Sequence, residues 1–320
     1  MSTWADKWLL VLLAGSMSTA TLALARTDRI CSRLGLGASK TELAKIHTSL
    51  RNDAAVWPHT WNHSASRRHG ADLHRGSLLK AEHILNHFDY NTSQSSFVYM
   101  VSLMARPTDA RWQPSMHSGI HIIRPLLDLL CSRRSRHRGM KRCVYLEIGA
   151  FCGASLALAL SYPGTSRAIG ITMPHPKTNS ALQRNARCFN VHDAGVHLVL
   201  EFSTTERAVN LTRDALQGDS VDLILMDGPS LTADVAHDFQ YYVREFLTPG
   251  GVVVLDDYYP ENRKAAADTM ASKYCPDQFS CIGQLPNQAR ATCLPGAPAC
   301  DRSVVAKLSN EFLMQRKVAE

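Results

Sequence analysis

A chain of 320 residues can hold one large α/β domain with extensions, or two small domains. Hydrophobic residues make up 45% of it and charged residues 20%, so a wholly disordered chain is excluded. The formal net charge of +7 would suit an anionic partner, but much of the excess lies in one basic run at residues 133–142. We interpret that run as a solvated loop before a strand, so a nucleic-acid partner is not expected.

The N-terminal residues 8–25 form an apolar stretch with a basic residue on each side. Its first half has the composition of a signal-peptide core, and Ala23-Leu24-Ala25 has the small-x-small pattern that signal peptidase accepts. We therefore predict that residues 1–25 are a signal peptide or an uncleaved membrane anchor, and that the chain enters the secretory pathway. The alternatives are an organelle-targeting sequence and the ordinary N-terminal helix of a cytoplasmic protein.

Two further features favour the secretory pathway. There are three Asn-x-Ser/Thr sequons, at Asn62, Asn91 and Asn210. Four of the nine cysteines crowd into residues 275–300, where an oxidising lumen would allow two disulfides in any of three pairings. We rank a zinc site lower because the spacings are wide and this stretch has no Cys-x-x-Cys motif. The four residues are Cys275, Cys281, Cys293 and Cys300.

Residues 26–114 are predicted to be a partly helical extension, because two of their stretches have apolar residues at helical spacing. An α/β domain is predicted at 115–310 and a tail at 311–320. The domain opens with an amphipathic helix at 121–130. Its apolar strands are predicted at 143–148, 168–172, 196–200, 221–227 and 252–256, with helices between them at 154–160, 178–188, 204–216 and 232–247.

Such alternation predicts an α/β fold with a Rossmann-like, doubly wound, mostly parallel sheet and helices on both of its faces. Crossover connections in it should be right-handed. Ligands of such sheets bind beyond the carboxyl ends of the strands, at the switch point in strand order. Asp227 and Asp256 end two of the predicted strands, and Asp257 follows, so we expect these acids at the ligand edge.

The turn after the first predicted strand reads Glu147-Ile148-Gly149-Ala150-Phe151-Cys152-Gly153. Its glycines let the backbone turn tightly and approach a ligand, and the helix that follows begins with free N–H groups. A dinucleotide site needs Gly-x-Gly-x-x-Gly to pack a pyrophosphate, whereas this loop has Gly-x-x-x-Gly preceded by an acid. That acid suits a ligand with a positive amino group, such as the methionine part of S-adenosylmethionine. A strand-to-helix turn without any ligand is the alternative.

A second pattern runs from Asp222 to Tyr258 and reads strand, Asp-Gly, long helix, Leu-Thr-Pro-Gly-Gly, strand, Asp-Asp-Tyr. Together with the Leu-Glu-Ile-Gly-Ala-Phe-Cys-Gly loop, it resembles the class I S-adenosylmethionine-dependent methyltransferases. The similarity is greatest to small-molecule O-methyltransferases of the catechol type, and it covers residues 120–260. The resemblance implies methyl transfer from S-adenosylmethionine to a small-molecule acceptor.

The resemblance also implies roles for the matching residues. Ser203, after the third strand, would lie near the adenine, and Asp227 would lie beside the reaction centre as the candidate catalytic residue. In metal-dependent members the acids after strands four and five hold one magnesium ion, and Asp227, Asp256 and Asp257 match them. Three converging carboxylates repel one another unless a cation or protons intervene, although these acids could also serve only as caps. The methionine part would be surrounded by Glu147, Gly149, Phe151, Gly153 and Ser155.

Two positions depart from the family pattern. Strand two usually ends in an acid that binds the ribose hydroxyls, but Thr172 holds that place here and offers only a hydroxyl to the cofactor. The catechol-type enzymes place a lysine base after the strand-four acid, where this chain has Gly228-Pro229-Ser230. The catalytic base is therefore unassigned.

The leading hypothesis is a methyltransferase that acts on a hydroxyl of a small molecule or a glycan-like acceptor, with or without the help of magnesium. A divergent, non-catalytic member that keeps the fold as a binding module is the alternative, favoured by Thr172 and the missing base. An RNA methyltransferase ranks lower, because acids stand where such enzymes need a lysine near strand five. A nicotinamide-dependent dehydrogenase ranks lower still, because the loop lacks the required glycine spacing.

Overall fold

Helices cover both faces of a single sheet of seven strands. The strands are β1 Cys143–Ile148, β2 Thr165–Thr172, β3 Gly195–Leu200, β4 Val221–Met226, β5 Leu247–Leu255, β6 Phe279–Pro286 and β7 Leu308–Arg316. Their order in the sheet is β3-β2-β1-β4-β5-β7-β6. Strands β1 to β5 pair in parallel, while β7 lies antiparallel between β5 and β6. The Rossmann-like, mostly parallel sheet predicted from the sequence is confirmed.

The structure is a computed structural model. It describes residues 122–123, 126–127, 129–131, 143–162, 164–190, 192–228, 231–256, 261–275, 277–286 and 308–318. The predicted signal sequence, the extension at 26–114, the basic run, Pro229, Ser230, Asp257, Cys293 and Cys300 lie outside these ranges. Within them, no helix is long and apolar enough to span a membrane.

The two central strands explain the apolar runs in the sequence. β1 and β4 are buried at every position, as expected for parallel strands covered by helices on both faces. The helices are α1 Ala154–Leu160, α2 Pro176–Phe189, α3 Glu206–Leu216, α4 Thr232–Asp238 and α5 Glu261–Tyr274. One face packs against α1, α2 and the described helical residues between 122 and 131, and the other against α3, α4 and α5.

Helix α4 continues beyond Asp238 as a π-helical turn, Phe239–Val243, and a last short turn, Arg244–Phe246. The sequence predicted one regular helix over 232–247. A π-helical turn accommodates one extra residue, and such turns are frequent at functional sites. Asp238 and Tyr242 lie at this turn and are both buried.

The sheet continues beyond residue 310, where the sequence analysis placed the end of the domain. β7 runs through this boundary and pairs with β5 from Val252↔Gln315 to Leu255↔Phe312. β6 and β7 were not predicted from the sequence, because they form an antiparallel pair at one end of the sheet and mix polar with apolar residues. The residues predicted to be a tail therefore include part of a strand that contacts β5.

Two disulfides join described cysteines. Cys275 is bonded to Cys281, which is one of the pairs that the sequence left open, and this bond links the end of α5 to β6. Cys131 is bonded to Cys143, which links the helical residues before the basic run to the start of β1. This second bond was not predicted, because its cysteines lie outside the C-terminal cluster. Cys188 is disulfide-bonded as well, whereas Cys152 is free and buried.

Replacing Cys131 and Cys143 together by alanine is expected to lower the free energy of unfolding by about 3 kcal/mol, because the disulfide restricts the unfolded chain. The matched control replaces Cys275 and Cys281, whose sequence separation is 6 residues instead of 12, and should cost about 2 kcal/mol. Urea unfolding without reductant measures both values. A clearly larger loss in the control would contradict this ranking by loop length.

Candidate functional site

The loop between β1 and α1 lies directly against the residue that follows β4. Gly149 has φ 94° and Gly153 has φ 81°, and Phe151 between them is also left-handed, at φ 44°. A Cβ atom on Gly149 would overlap the backbone carbonyl of Asp227. A Cβ atom on Gly153 would come within 2.7 Å of the Leu182 side chain in α2. The two glycines of the predicted motif are therefore needed for chain direction and for close packing.

Backbone hydrogen bonds tie the carboxyl ends of four neighbouring strands together. The amides of Gly149 and Ala150 both donate to the carbonyl of Ile171 at the end of β2, at 2.8 and 2.9 Å. The Asp227 amide donates to the carbonyl of Ile148 at 2.8 Å, and the Asp256 amide donates to that of Met226 at 3.0 Å. The ends of β2, β1, β4 and β5 thus form one continuous edge that carries the glycine loop and both described acids.

Glu147 is 1% exposed and belongs to a cluster of polar side chains at the edge of the core. The Ser155 hydroxyl donates to one of its carboxylate oxygens, and the Tyr145 hydroxyl lies 3.4 Å from the other. Burial raises the pKa of Glu147 to about 7, against the opposing effect of its hydrogen bonds with Ser155 and Tyr145. The pKa of Tyr145 is also raised, first by burial and then by the Glu147 charge. A positively charged ligand group beside Glu147 would favour its ionised form.

Thr172 ends β2, at the place where the family pattern has an acid. Its side chain is buried, with 6% exposed, while the next residue, Met173, is 47% exposed. Thr172 is in register with Leu200 at the end of β3, so Ser203 follows three residues beyond the same edge. The structure therefore places both predicted residues at the carboxyl edge of the sheet.

Ser203 contacts two residues of the α4 region that the sequence analysis did not single out. Its hydroxyl donates to Asp238 Oδ2 at 2.9 Å, and its carbonyl accepts from the Tyr242 hydroxyl at 2.8 Å. Asp238 is 1% exposed, and burial raises its pKa to about 7, although the bond from Ser203 opposes the shift. A signal was present in the sequence, since Asp238 interrupts the apolar face formed by Val235, Phe239 and Tyr242.

A small cavity lies beside these residues, between α4, α5 and the ends of β4 and β5. Two carboxyl side chains contribute to a wall that is otherwise apolar or glycine. The lining residues are Met226, Gly228, Val235, Asp238, Leu255, Asp256 and Ala267. Asp238 thus stands between Ser203 on one side and this cavity on the other.

Two of the three predicted magnesium ligands stand at neighbouring strand ends. Asp227 and Asp256 follow Met226 and Leu255, which are paired in the β4–β5 ladder. Among the residues that the structure describes, no group of three histidine, cysteine or acidic side chains could hold a metal ion. Asp257, the third predicted ligand, lies outside the described residues, so the magnesium site stays a prediction.

A parallel sheet with a glycine turn after β1 and acids after β4 and β5 defines a Rossmann-like domain with its ligand site at the carboxyl edge. Residues 146–258 match the model of a family described as "Methyltransferase domain". An uncharacterized protein of Acanthamoeba polyphaga mimivirus is 30% identical over 181 residues, which cover 53% of this chain and 78% of that protein. Residues 146–258 are therefore a methyltransferase domain, as the resemblance of the loop and the acid pattern predicted.

Solved structures with a similar chain path have low sequence identity. The O-methyltransferase TomG from Streptomyces achromogenes, solved in complex with SAM, is 16% identical with a TM-score of 0.42. The match covers 81% of this chain and 97% of that one. Cofactor-bound Rv0187 from MTB is 15% identical with a TM-score of 0.45, over 69% of this chain and 88% of that one.

Proposed function

We propose that this protein transfers the methyl group of S-adenosylmethionine to a hydroxyl of a small-molecule or glycan-like acceptor. The observation that carries the proposal is the close contact of Gly149 with the Asp227 backbone, beside a buried carboxyl at Glu147. This arrangement puts a glycine turn, a partner for a positive amino group and a strand-end acid at one edge. No pyrophosphate would be stable beside a buried acid, whereas an amino-acid moiety would be.

Each residue of the edge has a part in this proposal. Glu147, held by Ser155, faces the positive amino group of the methionine moiety, and Gly149, Phe151 and Gly153 shape the turn around it. Ser203 lies near the adenine. Thr172 offers one hydroxyl to the ribose instead of the carboxylate typical of the family, so we expect a weaker hold on the ribose diol.

The bound cofactor supplies an activated methyl group, so the protein needs mainly to align the acceptor oxygen and to accept its proton. Asp227 follows β4 next to the glycine loop and is the residue we place beside the reacting atoms. With Asp256, which is 8% exposed, it presents carboxylates to an acceptor that enters over β4 and β5. Magnesium on Asp227, Asp256 and Asp257 would lower the pKa of the acceptor hydroxyl.

Calorimetry with S-adenosylmethionine, followed by transfer of labelled methyl to a panel of catechols, phenols and glycans, tests the proposal. We expect saturable binding and transfer to at least one acceptor class. No detectable binding would reject the enzyme. Binding without transfer to any acceptor would instead support the divergent binding module, which Thr172 favours.

Magnesium dependence is tested separately with Asp257→Ala. We expect this variant to bind S-adenosylmethionine as the wild type does but to lose the calorimetric signal of magnesium binding. Asp219→Ala, which removes a surface acid paired with Arg167 at 3.1 Å, is the control and should keep that signal. Equal magnesium binding by both variants would reject the metal site.

We also propose that the protein works in the secretory pathway, in the lumen or anchored to its membrane through residues 8–25. The disulfides of Cys131 with Cys143 and of Cys275 with Cys281 support this proposal, because such bonds persist mainly in oxidising compartments. A cytosolic protein would keep these thiols reduced.

A further inference from the structure

Ser203 is held by one helix through two different atoms. Asp238 binds its hydroxyl at 2.9 Å and Tyr242 binds its carbonyl at 2.8 Å, and these two residues are four apart across the π-helical turn. All three side chains are buried, with 8% of Ser203, 1% of Asp238 and none of Tyr242 exposed. The hydrogen bond from Tyr242 to the Ser203 carbonyl holds the backbone of the β3–α3 loop in place. The hydrogen bond to Asp238 involves only the Ser203 hydroxyl.

The tie to Asp238 also determines where the Ser203 proton points. An ionised carboxylate only accepts hydrogen bonds, so the single proton of the serine hydroxyl must be directed at Asp238. Towards any other neighbour, the Ser203 hydroxyl then presents only lone pairs, so it can accept a hydrogen bond but not donate one. A hydroxyl that is free to rotate could be either donor or acceptor and would not discriminate between the two.

We propose that Asp238 is a positioning residue that makes Ser203 an obligatory acceptor, so that the site selects a purine with an amino group over one with a carbonyl group. This inference rests on the proposed function, in which Ser203 lies near the adenine. An adenine amino group donates to the serine oxygen. A 6-keto purine would place one acceptor against another and leave both without a proton, which is the kind of mismatch that gives strong discrimination.

Calorimetric titrations with S-adenosylhomocysteine and S-inosylhomocysteine test this inference, because the two ligands differ only in the amino or keto group at C6 and in the accompanying proton on N1, and neither donates a methyl group. They are carried out well above neutral pH, where Asp238 is ionised. We expect the wild type to bind the adenosyl ligand at least about tenfold more tightly. In Asp238→Ala and in Ser203→Ala, the ratio of the two dissociation constants should fall well below that of the wild type.

Tyr242→Phe is the matched control, because it removes the tie to the Ser203 carbonyl and leaves the hydroxyl bound to Asp238. It should weaken both ligands alike and keep the wild-type ratio. A merely structural role of Asp238 would behave in the same way, so an unchanged ratio in Asp238→Ala would overturn the inference.

Three further outcomes are distinguishable. If Asp238→Ala does not fold, Ser203→Ala measures the same ratio with a small change of volume, and a retained ratio there overturns the inference. If the wild type binds neither ligand, the proposed function itself fails. If it binds both ligands equally, only the inference about Asp238 fails.

Discussion

Gly149→Ala is expected to lower the free energy of unfolding by about 4 kcal/mol and to abolish binding of S-adenosylmethionine. The new Cβ atom would overlap the Asp227 carbonyl. In addition, φ at this position is 94°, and a residue with a side chain is strained in that backbone conformation. Relief requires the glycine loop and the end of β4 to separate, which opens the proposed cofactor edge. Urea unfolding and calorimetry measure the two effects.

Gly218→Ala separates the clash from the backbone strain. Gly218 has a similar φ of 86°, but a Cβ atom there would meet nothing within 4 Å. The control should therefore cost about 1 kcal/mol and leave cofactor binding intact. Equal losses of stability in the two variants would mean that backbone strain alone destabilises Gly149→Ala. That result would contradict a steric clash with Asp227.

Glu147→Gln is expected to weaken binding of S-adenosylmethionine by about 10- to 100-fold above neutral pH, because a charged partner of the ligand amino group becomes neutral. In the wild type, affinity should rise as pH increases towards and through about 7, where Glu147 ionises, and then level off. The variant should lose this rise. Calorimetry over a pH series measures both, and Glu201→Gln, which alters an acid paired with Arg207 at 3.2 Å, is the control.

Glu147→Gln is expected to weaken cofactor binding but to raise the free energy of unfolding above neutral pH. Burial raises the pKa of Glu147 in the folded protein from 4.5 to about 7, so between these values the folded state holds a proton that the unfolded state has lost. The free energy of unfolding should therefore fall as pH rises through this window, by up to about 3 kcal/mol for this residue. Glu147→Gln cannot ionise and should be the more stable protein above pH 7. A less stable variant would show that the hydrogen bonds outweigh the cost of burying the charge.

Local sequence patterns were sufficient for the parallel half of the sheet. β1 and β4 are apolar at nearly every position because both faces are covered, and the helices between strands repeat apolar residues at helical spacing. The roles of Gly149 and Gly153 also followed from spacing, because a positive φ at a strand-to-helix turn is a local requirement. The acids Asp227 and Asp256 could be placed at one edge because parallel strands share their direction.

Contacts between distant residues were decided only by the tertiary structure. Ser203 and Asp238 are 35 residues apart, and Cys131 could have paired with any other cysteine as far as spacing shows. β6 and β7 depend on antiparallel pairing with each other and with β5, which no local period encodes.

By itself, then, the sequence determined the Rossmann-like fold and the glycine loop after β1, since strand burial, helix periodicity and glycine turns are properties of neighbouring residues. The tertiary structure alone brought Asp238 and Tyr242 to Ser203, because that contact depends on how α4 packs beside the end of β3.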